Sequence, residues 1–103
     1  FNDAKDLIYQ WFVYLQKQDT QAFIYVQKKL VKSFKEKTQQ FTGLSVLMFY
    51  YQEAQRQAVA NGEYGKVKQI NQIIERILIA EQKLRSNVSF QAVAEQFVLH
   101  TIF

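Results

Sequence analysis

The chain contains no cysteine and no proline. Without cysteine there is no disulfide and no thiolate ligand for a metal, a composition that fits a reducing compartment such as the cytoplasm. Without proline no helix interior has to break. Glycine is scarce and stands only at positions 43, 62 and 65. With both helix-disrupting residue types so rare, long helices are favoured. The single histidine, His100, has no Glu-x-x-His or His-x-x-x-His partner, so the spacing needed for a metal site is missing. No G-x-S-x-G occurs. The segment NGEYGKVK (61–68) holds two glycines and Lys66, but a phosphate loop needs four residues between its glycines and Ser or Thr after the Lys. It reads instead as a helix stop. The longest apolar run, Val46–Tyr51, is far too short to span a membrane. The expectation is no catalytic site, no metal, no cofactor, no small-molecule ligand and no membrane partner.

What is present is a large apolar fraction, 49%, in 103 residues. That length fits one domain able to bury about two-thirds of its unfolded surface. The N-terminal FNDAKDLIYQ is too acidic and too broken for a signal peptide, and it does not begin with Met. Residues 1–103 are therefore expected to be a single helical domain cut from a longer protein.

Apolar residues recur at helical spacing throughout, and strand-type alternation persists nowhere. Asp3 is a candidate N-cap for a first helix carrying Leu7, Trp11, Tyr14 and Leu15. QKQDT (16–20) interrupts the pattern, and Asp19 is placed to cap a second helix with the stripe Phe23, Val26, Leu30 and Phe34. Ser33 and Glu36 have capping-box spacing, which predicts a third helix over 34–60 with Leu44, Leu47, Met48, Tyr51 and Ala58 inward. Gly43 inside it should cost about 1 kcal/mol relative to Ala. Asn61 or Gly62 supplies the left-handed residue that ends this helix. A fourth helix carries Val67, Ile70, Ile74, Ile77, Leu78 and Leu84. A fifth carries Val93, Phe97 and either His100 or Thr101. Between the last two, Asn87 can close one helix and Ser89 can cap the next, so the chain turns back in a tight hairpin. The predicted fold is an all-α bundle of about five helices with antiparallel neighbours.

Two features of the surface point to partners. Residues 28–37 hold five Lys and one Glu, which accounts for the whole formal net charge of +4. One reading is a solvated helix end whose lysines complement the helix dipole. The alternative is a basic helical nucleic-acid-binding module using Lys28, Lys29, Lys32, Lys35 and Lys37, which predicts steeply salt-dependent binding. The cluster lacks Arg and has no interleaved aromatic beyond Phe34, so direct DNA binding is expected to be weak. The second feature is aromatic. Phe49, Tyr50 and Tyr51 are consecutive, and on a helix they point about 100° apart, so one stripe cannot hold all three. Val46, Phe49 and Tyr50 lie off the main stripe. They are expected to meet a neighbouring chain or the domain's own outer helices.

The stretch INQIIERILIAEQKLRSNVSFQAVAEQFVL (70–99) resembles the end of bacterial clamp-loader subunits, with Leu84, Asn87, Val88, Glu95, Val98 and Leu99 on the matching positions. Ser89 stands where a second Asn is usual, and Phe90 where Pro is common. AFIYVQKKLVKSFKEKTQQFTGLSVLMFYYQEA (22–54) is similar to the corresponding part of the delta-prime family of DNA polymerase III subunits of the Gram-positive type, FKEKTQQ most of all. Tyr51, Gln52 and Glu53 replace the Tyr-Arg-Asp frequent there, so a role carried by that Arg does not transfer. The resemblance implies a clamp-loader collar domain: a C-terminal helical domain that assembles with other clamp-loader subunits into a ring, separate from the ATPase modules.

Overall fold

The computed structural model describes residues 2–103. Helix α1 runs Asn2–Gln16. Helix α2 opens with Gln21–Tyr25, passes through a π-helical segment Val26–Leu30 and closes on Val31–Ser33. Helices α3 (Lys37–Ala60), α4 (Tyr64–Arg85) and α5 (Phe90–Ile102) follow, and no strand occurs among the described residues. The architecture is the all-α bundle of five helices that periodicity predicts. The hairpin of α3 and α4 makes the most extensive contact. Helix α1 packs on α3, α5 packs on α4, and α2 bridges α1 and α5. Trp11, Leu47, Tyr51, Ile77, Leu84 and Val98 fill the centre.

Three turns close their helices by one device. Gln18, Gly62 and Asn87 all have positive φ, at 54°, 71° and 66°. At each, the next N–H reaches back five residues: Asp19 N–H to Tyr14 O, Glu63 N–H to Ala58 O and Val88 N–H to Lys83 O, at 2.9, 2.9 and 3.0 Å. These are Schellman closures, which satisfy carbonyls that a helix end otherwise leaves unpaired. Gly62 and Asn87 are residue types suited to left-handed backbone. Gln18 is not, and nothing in its identity announces the turn.

Helix α2 contains a feature that spacing hides in plain view. Ala22, Val26, Leu30 and Phe34 are all buried and all four apart. In a straight α-helix each step of four turns about 40° past a full revolution, so the stripe would drift off the core. The wider π turn, closed by Val31 N–H to Val26 O, absorbs that drift.

The junction between α2 and α3 corrects the expected cap at Ser33. Ser33 is the last residue of α2, and α3 starts at Lys37 rather than Phe34. Phe34 leaves helical backbone, with φ −112° and ψ 76°, to bury its ring. That ring lies 6.1 Å from Phe90 and about 3.5 Å from the position a side chain on Gly43 would take. A helix running on through residue 34 could not deliver it there. Glu36 replaces Ser33 as the N-cap and Gln39 takes the N3 place of the capping box: Gln39 Oε1 accepts from the N–H groups of Glu36 and Lys35 at 3.0 and 3.2 Å. Gln40 Nε2 donates to Phe34 O at 2.9 Å.

One further expectation changes, and one open alternative is settled. Leu78 is exposed, and the buried row of α4 runs Ile70, Ile77, Ala80 and Leu84 instead. The packing of both α3 and α5 against α4 sets that row. At the end of α5, His100 is exposed, while the hydroxyl of Thr101 is buried.

Candidate partner-binding surfaces

The three consecutive aromatics of α3 have three different fates. Tyr51 is 0% exposed, with Phe12 edge-on at 4.9 Å. Burial pushes its hydroxyl well above the ordinary tyrosine range, and no protein group among the described residues pairs with it. Tyr50 packs on α1, with Tyr9 at 5.3 Å and Phe12 at 5.5 Å. Its hydroxyl donates to Lys5 O at 3.3 Å. Burial is the main cause of its raised pKa, followed by the nearby Asp6 and Tyr9. Phe49 is 51% exposed and touches Tyr50 at 5.8 Å. Val46 is 9% exposed and belongs to the core cluster. Of Val46, Phe49 and Tyr50, the domain's own helices cover the first and most of the third, and only Phe49 is presented to solvent.

Phe49 forms one wall of a shallow groove of about 470 Å³. Val46 forms its floor, Phe41, Thr42 and Ser45 continue it along α3, and Lys5 closes the α1 side. No acidic residue lines it. The Arg85 guanidinium stands 5.8 Å from the Phe41 ring centre, a cation–π arrangement that sets a second positive charge at the same end.

The basic segment is solvated. Lys28, Lys29, Lys32, Lys35 and Lys37 are all exposed. Lys28 and Lys29 lie on the π-helical turn. Lys37 Nζ donates to Asn87 Oδ1, which joins the start of α3 to the turn before α5. Among the described residues the one cation–carboxylate pair is Arg56–Glu53, elsewhere on α3, so these lysines have no acidic neighbour within ion-pair distance.

The remaining singled-out positions serve as helix ends. The N-cap position of α2 falls to Thr20 rather than to the expected Asp19, whose Oδ1, one residue earlier, accepts from Gln21 N–H at 2.9 Å. Ser89, in extended backbone, accepts from Ala92 N–H at 3.2 Å. With Asn87 left-handed, the 86–89 break satisfies both helix ends and fixes the hairpin angle. Sequence reasoning missed a second groove, between α4 and α5, beside the exposed Ile79. Its signal was available: Arg76, Ile79, Ala80 and Lys83 share one helical face, and Val93, Gln96, Phe97 and His100 share another.

Among the described residues no group of three or more His, Cys, Asp or Glu side chains stands together. No helix there is long and apolar enough to cross a membrane. The molecule is of the class of small helical bundles that carry apolar grooves with basic rims on their surface. The chain is similar to DNA polymerase III subunit delta' of Bacillus subtilis (strain 168), at 27% identity over 116 aligned residues that cover 96% of this chain. It spans 35% of the length of that relative. No family model and no solved structure matches the chain.

Proposed function

We propose that this chain is the collar domain of a DNA polymerase III clamp-loader subunit, an oligomerisation element without catalysis of its own that supports loading of the sliding clamp. The observation that carries the reading is the similarity to delta' along 96% of the chain. The surface supports it. Phe49 keeps half of its apolar surface in water beside the half-buried Phe41, and apolar area in a groove of this kind suits a contact with another chain. The partners are then the other clamp-loader subunits, with DNA met weakly or indirectly, and the setting is the cytoplasm. The test is co-expression of the full-length subunit with the other subunits of its clamp loader, followed by size exclusion. Co-elution in one stoichiometric complex is expected; a subunit that elutes alone contradicts the reading.

The lysines of α2 and of the α2–α3 junction support a second reading, a nucleic-acid-binding module. It requires binding whose logarithm falls steeply with the logarithm of salt. Sub-micromolar DNA binding by this chain at physiological salt, lost on replacing Lys28, Lys29 and Lys32 by Gln, would favour it over a purely assembling role.

A further inference from the structure

The groove of the last hairpin has a regular construction. On α4, Arg76, Ile79, Ala80 and Lys83 fall at i, i+3, i+4 and i+7, and on α5 Val93, Gln96, Phe97 and His100 repeat the spacing. Each set therefore shares one face of its helix. The two faces meet across the hairpin and line an open groove of about 300 Å³. Ala80, Val93 and Phe97 are buried and form its floor. Ile79 stands at the rim with 48% of its surface exposed. Lys83 Nζ donates to Gln96 Oε1 at 2.7 Å, which ties the two walls together at a fixed width. Of the floor residues only Ala80 is small, and the dip it leaves between the two rows, beside the projecting Ile79, is of the kind that a side chain of a third helix fills.

The charge of the rim selects the occupant. Every ionisable side chain lining the groove is basic: Arg76, Lys83 and His100. The acids nearest in sequence do not line it. Glu95 turns toward α2, its Oε2 accepting from Gln27 of α2 and from Gln91 of its own helix, each at 3.1 Å, and Glu75 and Glu81 lie outside the lining. Nucleic acid suits the site poorly, because Phe97 is buried and offers bases no face to stack on, which leaves the imidazole of His100 as the one exposed ring of the lining.

We propose that this groove receives an amphipathic helix from a neighbouring subunit, with its apolar stripe seated against Ile79 and the Ala80–Phe97 floor and its flanking carboxylates against Arg76 and Lys83. The inference rests on the collar reading and extends it. A domain held between two different neighbours in a closed ring needs two different faces. The groove at Phe49, on α3 and α1, supplies one, and the α4–α5 groove supplies the other. Neither helix of the second groove lines the first.

The test places the photo-crosslinker p-benzoylphenylalanine at Ile79, in the full-length subunit assembled with the rest of its clamp loader. Assembly of the unmodified subunit is scored first; if it does not assemble, the collar reading falls and this inference falls with it. Given assembly, irradiation should join position 79 to a helical segment of another subunit with at least two Asp or Glu within one turn of the adduct. Joint replacement of Arg76 and Lys83 by Glu should lower the adduct yield about tenfold, since close charge pairs across an interface couple strongly. If the bulky probe at 79 prevents folding, the same probe at the exposed His100 is used and must give the same segment. An assembled complex with no adduct from either position overturns the proposal. So does an adduct to DNA or to a second copy of this chain.

Discussion

The inner and outer faces of α3 carry the same kinds of residue and put them to different ends. Inward, Leu44, Leu47 and Tyr51 have no more than 1% of their surface in water. Outward, Phe41 and Phe49 line an open groove beside Lys5. Hydrophobicity alone does not separate the two sets. Geometry does: Tyr51 meets Phe12 of α1, whereas Phe49, about 200° away around the helix, has its ring beside that of its neighbour Tyr50 and half of its surface exposed. The inner face stabilises the domain. The outer face adds little to folding and stays apolar in water, and it is the face that the proposed collar role assigns to another chain. Tyr50 stands at the boundary, pinned on α1 by two rings and a hydrogen bond.

Replacing residues on each face should break this contrast in a graded way. The largest loss of fold stability is expected from Tyr51→Ala, about 3–5 kcal/mol in urea melts, the usual cost of removing a buried aromatic. Tyr51→Phe sharpens the point. It removes a buried hydroxyl with no protein partner while keeping the ring, so stability should hold or rise by about 1 kcal/mol. The same pair reports on pH. An unfolded tyrosine ionises near pH 10.0, while folded Tyr51 holds its proton to higher pH. Its contribution is complete below that value and is lost as pH rises above it. The wild type should therefore lose stability between pH 10 and 11 more steeply than Tyr51→Phe.

Smaller effects are expected away from α3's inner face. Ser89→Ala removes the acceptor of Ala92 N–H and should cost about 1 kcal/mol. Equal urea midpoints for the two proteins would contradict the cap. Gly43→Ala should stabilise by about 0.5–1 kcal/mol through helix propensity. The added methyl would stand 3.5 Å from Ile8 and Phe34, an ordinary contact. A loss of stability would show that Phe34 needs the space more tightly than its position indicates.

Much of this fold is legible in sequence because it is local. The 3.6-residue rhythm gives five helices, Asn87 and Gly62 are residue types that enter left-handed backbone, and Ser89 is a strong cap. What stays hidden depends on distant partners. Ser33 and Glu36 satisfy a capping-box pattern, yet burial of Phe34 against Phe90 moves the helix start to Lys37. The π turn lets Ala22, Val26 and Leu30, spaced by four, all face one core, a demand set by α1 and α5. The candidate surface is legible only as an excess. The sequence of α3 shows more aromatics than one stripe can hold. It does not show that α1 places Tyr9 and Phe12 over Tyr50 and leaves Phe49 free. The groove beside Ile79 is hidden for the same reason, since its two walls belong to different helices.

Phe49→Ala should have the smallest effect on folding, within about 0.5 kcal/mol, as for surface substitutions generally. It is therefore the variant that tests the central claim most directly, measured twice: by urea melt of this domain, and by assembly of the full-length subunit with its clamp-loader partners. The account predicts unchanged melting together with assembly weakened about thirtyfold, the loss of about 2 kcal/mol typical of a central aromatic anchor. Full-strength assembly by a normally folded Phe49→Ala protein would contradict it and place the interface on another face of the domain.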